Sequence, residues 1–266
     1  MSPADDHRPA PTHPPADWTV IGLPDAESVA RQVAIRLLSE RRFRPERALG
    51  LATGRTMDPV YAALVQQVAL LPEAEQDRLR ERWLSFNLDE YVGLSADDPR
   101  GFRAAMVEHL VRPLGLDPER VRLPDGAAVD PGTEALRYAR ELATAGGIGL
   151  QVLGLGLNGH VGFNEPPCTP EAGCRCVTLC NTTRRANAEA FGGDPQAVPP
   201  QAITLGLGDI LSARSLLLVV TGAAKAPILK RLLQGDSPSP ELPASWLRMH
   251  PEVTVLADRD ALGNVG

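Results

Sequence analysis

The sequence is poor in lysine and in aromatic residues, and it has no long apolar run. Of its 266 residues, 27 are lysine or arginine, and only Lys225 and Lys230 are lysines. A formal net charge of −6 argues against a nucleic-acid-binding protein. No apolar stretch reaches the roughly 18 residues of a membrane-spanning helix, and the first residues lack the basic and then apolar order of a signal peptide. These absences predict a cytoplasmic protein that binds neither nucleic acid nor membranes.

Cysteine is also scarce, and the cysteines lie close together in the chain: Cys168, Cys174, Cys176 and Cys180. Their spacing differs from the two pairs of ligands that form a standard zinc site. A cytoplasmic location in turn argues against structural disulfides. We therefore expect reduced thiols in a mobile segment and no metal, with a metal or redox role as the alternative.

The order of apolar runs and helical patterns predicts one folded α/β domain. A proline-rich segment at residues 1–17 is expected to be a disordered tail, residues 18–260 the domain, and residues 261–266 a short C-terminal tail. Within the domain, short apolar runs alternate with segments whose apolar residues recur at helical spacing. That alternation is typical of a mostly parallel sheet flanked by helices.

A turn after the second predicted strand, residues 48–52, has the composition of a phosphate site. It contains two hydroxyls, a glycine and a cation: Thr53, Gly54, Arg55 and Thr56. Asp58 and Pro59 are predicted to be the N-cap and the first-turn proline of a helix that follows. Free N–H groups at a helix start, together with the charge of Arg55, favour anion binding. An ordinary strand-to-helix turn is the alternative.

Further cations are predicted near the starts of two helices. Arg184 and Arg185 belong to a predicted helix at residues 181–187, and Lys225 follows an apolar strand at residues 216–220. Because parallel strands end at one edge of their sheet, we expect Arg184 and Lys225 to form an anion site with the Thr-Gly turn. Solvated surface charges are the alternative.

A carboxylate ends the third predicted strand, which covers residues 83–88. Ligands of parallel α/β sheets bind at the carboxyl ends of strands, so Asp89 is a candidate general base. Capping of the next turn is the alternative role for this side chain.

The most informative stretch is the glycine segment, residues 154–166, which reads G-L-G-L-N-G-H-V-G-F-N-E-P. His160 stands five residues before Glu165, and the two are a candidate pair for proton transfer. The glycines match G-x-G-x-x-G, but no helix is predicted after them and no acidic residue follows at the spacing of a dinucleotide-binding motif. We therefore predict that the segment does not bind NAD.

Together the candidate residues suit proton transfer on a phosphorylated sugar. The sequence resembles the glucosamine-6-phosphate deaminases in motifs that follow the order typical of that family and span nearly all of residues 18–260. The motifs are L-A-T-G-R-T (51–56), F-N-L-D-E-Y-V-G-L (86–94), L-G-L-N-G-H-V-G-F-N-E-P (155–166), T-R-R-A-N (183–187), G-A-A-K-A (222–226) and P-A-S-W-L-R-M-H-P-E-V-T-V (243–255).

The resemblance implies a single three-layer α/β domain of modified Rossmann type that needs no organic cofactor and no catalytic metal. It implies conversion of glucosamine 6-phosphate and water into fructose 6-phosphate and ammonia. Asp89 matches the base that moves a proton from C2 to C1. His160 matches the acid and base that opens the sugar ring, assisted by Asn158 and Glu165. The residues that match phosphate contacts are Thr53, Gly54, Arg55, Thr56, Arg184 and Lys225.

The sequence departs from the family pattern at Asn158 and Arg55, among other positions. Asn158 stands where many members carry aspartate, and an asparagine can orient the imidazole of His160 but cannot stabilise its protonated form by charge. Arg55 stands where a small residue is usual. Three other functions stay open: a 6-phosphogluconolactonase-type hydrolase, an isomerase or deaminase of galactosamine 6-phosphate, and a non-catalytic sugar-phosphate sensor. The sequence does not distinguish a monomer from a homo-oligomer.

Overall fold

The structure, a computed structural model, describes residues 18–263. The tail predicted at residues 1–17 and the last three residues of the chain lie outside the described residues. Near the C-terminus the chain forms a short helix, Arg259–Leu262, in which the N–H of Ala261 donates to the carboxylate of Asp258. This helix crosses the domain boundary that the sequence predicts at residue 260.

Two sheets organise the described chain. Its strands are β1 (Thr19–Leu23), β2 (Ala48–Leu51), β3 (Ser85–Asn87), β4 (Asp89–Tyr91), β5 (Val121–Arg122), β6 (Ile148–Gly154), β7 (Arg175–Thr178), β8 (Gln201–Thr204), β9 (Ser215–Val220) and β10 (Val253–Asp258). Seven strands form a parallel sheet in the order β1-β10-β9-β6-β2-β3-β5. The centre strands β6 and β9 are buried along nearly their whole length and rich in leucine and valine, as expected for strands covered on both faces. The predicted mostly parallel sheet is therefore confirmed.

Helices connect and cover the strands. They are α1 (Ala26–Phe43), α2 (Asp58–Ala69), α3 (Glu73–Glu81), α4 (Phe102–Met106), α5 (Arg112–Leu114), α6 (Pro131–Thr144), α7 (Asn181–Asn187), α8 (Leu207–Leu211), α9 (Ala226–Gln234) and α10 (Arg259–Leu262). A π-helical turn lies at Val107–Val111, and 3₁₀ turns lie at Pro118–Arg120, Ala188–Phe191, Ala223–Lys225 and Pro243–Met249. Within residues 18–263 no helix has the length and apolar character that a membrane crossing requires.

The start of α2 differs from the prediction by one residue. Met57 occupies the N-cap position, and Asp58 is the first helical residue rather than the cap. The reason lies in the preceding turn, because the N–H groups of Met57 and Asp58 both donate to the carbonyl of Gly54. Met57 already has helical dihedral angles, so the turn and the helix form one continuous element.

The chain changes from one sheet to the other at Leu88. The N–H of Leu88 donates to the carbonyl of Leu51 in the large sheet, and its carbonyl accepts the N–H of Leu205 beside the small sheet. The next residues form β4, which pairs antiparallel with β8 in a second sheet of order β4-β8-β7. The sequence did not predict this small sheet, and it places Asp89 at the junction of the two sheets.

A second hydrophobic cluster supports the small sheet. The ring of Tyr91 on β4 packs against Phe163 of the glycine segment and Phe191 after α7, with centroid distances of 5.7 and 5.5 Å. Leu179 and Val198 are buried in the same cluster. The cluster fixes the glycine segment and α7 relative to the strand that carries Asp89.

Candidate active site

The candidate residues of the sequence converge on the carboxyl edge of the large sheet. Strands β2, β6 and β9 are parallel, and β6 pairs with both of the others. The Thr-Gly turn follows β2, the glycine segment starts at the end of β6, and Lys225 follows β9. The three elements therefore lie side by side at one edge, where parallel α/β sheets bind ligands.

The Thr-Gly turn is an open part of this edge. Gly54 has a φ of 106°, a left-handed conformation that favours glycine. Arg55 is 79% exposed and pairs at 3.0 Å with Glu189, which is itself 77% exposed. Its guanidinium therefore stands in water beside the turn, where it could also reach an anion.

Lys225 connects the end of β9 to the glycine segment. Its Nζ donates to the carbonyl of Leu155 at 2.6 Å, so its side chain reaches across from the end of β9 to the end of β6. Burial, and next the positive charge of Arg55, lower the pKa of Lys225. The ammonium is thus held in a half-buried position next to another cation, an arrangement that favours a bound anion.

Arg184 does not make the contact with the Thr-Gly turn that the sequence predicts. It lies on α7, which has the predicted bounds, and with Arg185 it belongs to the last turn of this short helix. The guanidinium of Arg184 donates to the carbonyls of Val198 at 3.3 Å and Gln196 at 3.0 Å. In the described chain its hydrogen bonds thus go to the loop before β8 and not to the Thr-Gly turn.

His160 lies against the backbone of its own segment. A Cβ at Gly156 would stand 2.3 Å from the imidazole carbon Cε1, so only glycine leaves room for the ring. Nδ1 of His160 lies 2.5 Å from Oδ1 of Asn158, and the same oxygen accepts the backbone N–H of His160. An amide oxygen only accepts hydrogen bonds, so Nδ1 carries the proton and Nε2 keeps a free lone pair.

The environment keeps the imidazole neutral. Burial lowers the pKa of His160 to about 4; the charge of Glu165 opposes this shift and that of Lys225 adds to it. At neutral pH the ring is therefore a neutral base rather than a cation.

Glu165 acts on His160 by charge, whereas its hydrogen bonds go to the start of α7. Its carboxylate accepts the backbone N–H of Cys180 at 2.7 Å, the thiol of Cys180 at 2.7 Å and the hydroxyl of Thr183. The hydrogen bond of the imidazole thus goes to Asn158, and Glu165 assists His160 only through its charge. Sequence reasoning missed Cys180 and Thr183, although Thr183 begins the T-R-R-A-N motif.

The cysteine-rich stretch is more ordered than predicted. Cys176 lies in β7 and pairs with Ile203 of β8, and Cys168 is buried. The expectation of a mobile segment therefore fails at these positions, because β7 is held by the antiparallel ladder. Cysteines in residues 18–263 are all free, and no group of three or more His, Cys, Asp and Glu in that range could hold a metal ion.

Asp89 is a buried carboxylate beside the glycine segment. It is 7% exposed, stands opposite Thr204 in the ladder of β4 and β8, and has its Oδ2 within 3.6 Å of the Cβ position of Gly162. Burial first, and the charge of Glu90 second, raise the pKa of Asp89 to about 8. A carboxylate with so high a pKa is a stronger base than usual once it is ionised.

The P-A-S-W motif, residues 243–246, packs against the glycine segment and hydrogen-bonds to its backbone. The N–H of Ala244 donates to the carbonyl of Gly159 at 2.9 Å, and the indole of Trp246 donates to the carbonyl of Cys168 at 2.9 Å. Gly159 has a φ of 84°, and a Cβ there would meet Leu242. The motif thus holds a segment that glycine alone can form.

Two cavities elsewhere on the molecule contain none of the candidate residues. One of about 240 Å³ is bordered by Arg41 and Arg78, and one of about 640 Å³ by Val129 and Leu136. Neither includes a candidate residue, whereas Asp89 and His160, the candidate proton-transfer groups with strongly shifted pKa values, both lie at the carboxyl edge. Such clustering is typical of active sites.

Comparison with known sequences relates the chain to enzymes that act on sugar phosphates. The family model described as glucosamine-6-phosphate isomerases and 6-phosphogluconolactonase matches residues 24–256. A glucosamine-6-phosphate deaminase of Rhodopirellula baltica is 41% identical over 239 residues, which are 90% of this chain and 92% of that protein. A glucosamine-6-phosphate deaminase of a Geobacillus species is 39% identical over 239 residues, with 90% and 92% covered.

Solved structures share the fold. A monomeric glucosamine-6-phosphate deaminase superposes with a TM-score of 0.85 at 34% identity, over 92% of this chain and 99% of that one. A 6-phosphogluconolactonase from Trypanosoma cruzi superposes with a TM-score of 0.73 at 19% identity, over 96% and 99% of the two chains. At that identity the second similarity shows the fold alone.

Proposed function

The chain belongs to the family of glucosamine-6-phosphate isomerases and 6-phosphogluconolactonases, and we propose that it converts glucosamine 6-phosphate and water into fructose 6-phosphate and ammonia. The observation that carries the proposal is the buried Asp89 next to the glycine segment with His160. A lactone hydrolase has no proton to remove from carbon and so no use for such a base. The deaminases that are 39 to 41% identical to this chain support the same reaction.

Substrate binding relies on charge at the open part of the edge. The phosphate sits at the Thr-Gly turn before α2, where the backbone of the turn and the side chains of Thr53 and Thr56 can reach it. Arg55 and Lys225 add positive charge. Arg184 joins them only if its guanidinium leaves the carbonyls of Gln196 and Val198. Half-buried Lys225 contributes more to this binding than Arg55, which is 79% exposed, because water screens its charge less.

His160 opens the sugar ring. Its free Nε2 accepts the proton of the C1 hydroxyl and then delivers a proton to the ring oxygen, which breaks the bond between C1 and that oxygen. A neutral imidazole can do this, and Asn158 keeps it in the required tautomer. Glu165, which the start of α7 holds by hydrogen bonds, stabilises the transient imidazolium by its charge.

Asp89 moves the proton from C2 to C1 of the open chain. It takes the C2 proton and returns it to C1, while a proton passes from the amino group to O1, so that C1 becomes a hydroxymethyl group and the C2–N bond becomes an imine. Water then adds to C2, and ammonia leaves as the ketone forms. Because Asp89 must be ionised, and its pKa is about 8, kcat/KM of the free enzyme rises as the pH increases through that value.

The reaction suits a cytoplasmic enzyme without added cofactors. Each step is a proton transfer or a hydrolysis, so the proposal requires no organic cofactor and no metal. A sugar phosphate is charged and does not cross a bilayer unaided, which supports a location in the cytoplasm.

Incubation of the purified protein with glucosamine 6-phosphate tests the proposal. Ammonia and fructose 6-phosphate are expected in equal amounts, and galactosamine 6-phosphate serves as a comparison for substrate preference. Faster hydrolysis of 6-phosphogluconolactone without ammonia release would instead indicate a lactonase. Binding of glucosamine 6-phosphate with no turnover by the folded protein would indicate a sensor.

A further inference from the structure

Glu90 is a buried carboxylate beside Asp89 that has no part in the proposed reaction. It is 3% exposed, and its two oxygens accept three backbone N–H groups: Tyr91 at 2.8 Å, Phe102 at 3.0 Å and Arg103 at 2.7 Å. Phe102 and Arg103 are the first residues of α4, so the carboxylate lies at the start of that helix. Burial raises the pKa of Glu90, and the three N–H groups and the charge of Arg103 oppose that shift because they stabilise the ionised carboxylate.

The surroundings hold this carboxylate in one position. Cβ atoms at Gly101 and Gly126 would lie 3.5 Å from Oε1 and 3.2 Å from Cγ of Glu90, so both glycines pack closely on it. Successive residues of a strand point to opposite faces, which directs Glu90 away from the side of Asp89. Glu90 therefore does not reach a substrate bound against Asp89, and it acts on that residue through its charge.

Few other charged groups lie near enough to offset the effect of the Glu90 charge on Asp89. Apart from Glu90, the titratable groups that interact with Asp89 are Tyr91 on the same strand and Tyr138 on α6. Burial raises the pKa of both phenols, so they are neutral under ordinary conditions. Thr204 on β8 and Gly162 carry no charge. The cation that faces Glu90 is Arg103, which also donates to the carbonyl of Leu123.

We propose that Glu90 is a positioning residue whose fixed negative charge increases the basicity of Asp89 toward the C2 proton. The inference rests on the proposed function and extends it, since it assigns a second carboxylate to the same step. A negative charge next to a buried carboxylate increases the affinity of that carboxylate for a proton. Glu90 thus helps to make Asp89 basic enough to remove a proton from carbon.

The Glu90→Gln variant tests this role through the pH dependence of kcat/KM. Loss of the charge should shift the acid limb of this profile, the pH range in which kcat/KM rises as Asp89 ionises, about 1 pH unit lower. It should also reduce the rate on the plateau about threefold or more, because the base is weaker. Glu90→Asp keeps the charge and should restore the position of the limb.

Glu134→Gln is the matched control. Glu134 is a buried glutamate on α6 that also accepts a backbone N–H, from Asp125, and it pairs with Arg137. Its loss should lower the stability measured by urea unfolding without a shift of the acid limb. An unmoved limb in folded Glu90→Gln would overturn the inference, whereas the absence of ammonia from the unmodified protein at every pH would overturn the proposed function instead.

A second measurement decides the matter if Glu90→Gln does not fold. Carboxyl ¹³C NMR of the unmodified protein should show Asp89 and Glu90 titrating as a coupled pair, with each resonance sensing both steps. Independent single-step curves would contradict the inference.

Discussion

The two parts of the candidate site are built in opposite ways. The proton-transfer part, around Asp89 and His160, is enclosed by backbone from both sheets and by the glycine segment. The phosphate part presents Arg55, which is 79% exposed. The difference follows from what each part must do. Burial raises the pKa of Asp89 and lowers that of His160, whereas an anion site needs only positive charge near N–H groups.

Asp89→Asn should cause the largest change, because it removes the base from the enclosed part. We expect ammonia release to fall by a factor of about 10³ or more. Stability should change in the other direction. The folded pKa of Asp89 lies above its ordinary value, so ionisation destabilises the fold as the pH increases from about 4 to 8. Urea unfolding should show Asp89→Asn more stable than the unmodified protein at pH 9 and equal to it at pH 4; a loss at pH 9 would contradict the burial argument.

Lys225→Met should mainly affect binding, because it removes the half-buried cation of the phosphate part. We expect KM to rise about 10-fold to 100-fold and kcat to stay within about threefold. Lys230→Met is the control, since Lys230 is the exposed second lysine and lies on α9, the helix that follows Lys225. A fall in kcat with unchanged KM would show that Lys225 takes part in the chemistry.

Asn158→Asp adds a carboxylate next to Nδ1 of His160 and should have an intermediate effect. An adjacent negative charge stabilises the imidazolium, so the pKa of His160 should rise from about 4 by about 2 units. Ring-nitrogen NMR titration measures this directly, and activity should change only severalfold. An unchanged titration curve would mean that residue 158 does not contact the ring in solution.

Arg55→Ala should have the smallest effect. Exposed ion pairs contribute about 0 to 1 kcal/mol, so the melting temperature should not change, and KM should rise by no more than about threefold. Glu189→Gln is the companion variant, because it frees Arg55 and should leave KM equal or slightly lower. A rise in KM as large as that of Lys225→Met would show that exposure does not diminish the role of Arg55.

The large sheet could be read from the sequence because its signals are local. Runs such as β6 and β9 are continuous and apolar, and each connects to a segment with helical spacing. Their shared parallel direction was enough to place the Thr-Gly turn, the glycine segment and Lys225 at one edge.

The small sheet and the contacts of Glu165 could not be predicted because they depend on distant residues. β4 has three residues, too few for a periodic pattern, and its pairing with β8 joins positions more than a hundred residues apart. The hydrogen bonds of Glu165 to Cys180 and Thr183 require the start of α7 to lie against the glycine segment. The hydrogen bond of Asn158 to His160 was anticipated only as a way to orient the ring.

Exchange of the C2 proton of glucosamine 6-phosphate with solvent deuterium tests most directly whether Asp89 acts in proton transfer and Lys225 in phosphate binding. It should be followed by NMR at saturating substrate in Asp89→Asn and Lys225→Met. We predict that Asp89→Asn binds substrate normally but shows no exchange, and that Lys225→Met exchanges at close to the rate of the unmodified protein. Exchange at an undiminished rate in Asp89→Asn would contradict the assignment of Asp89 as the base.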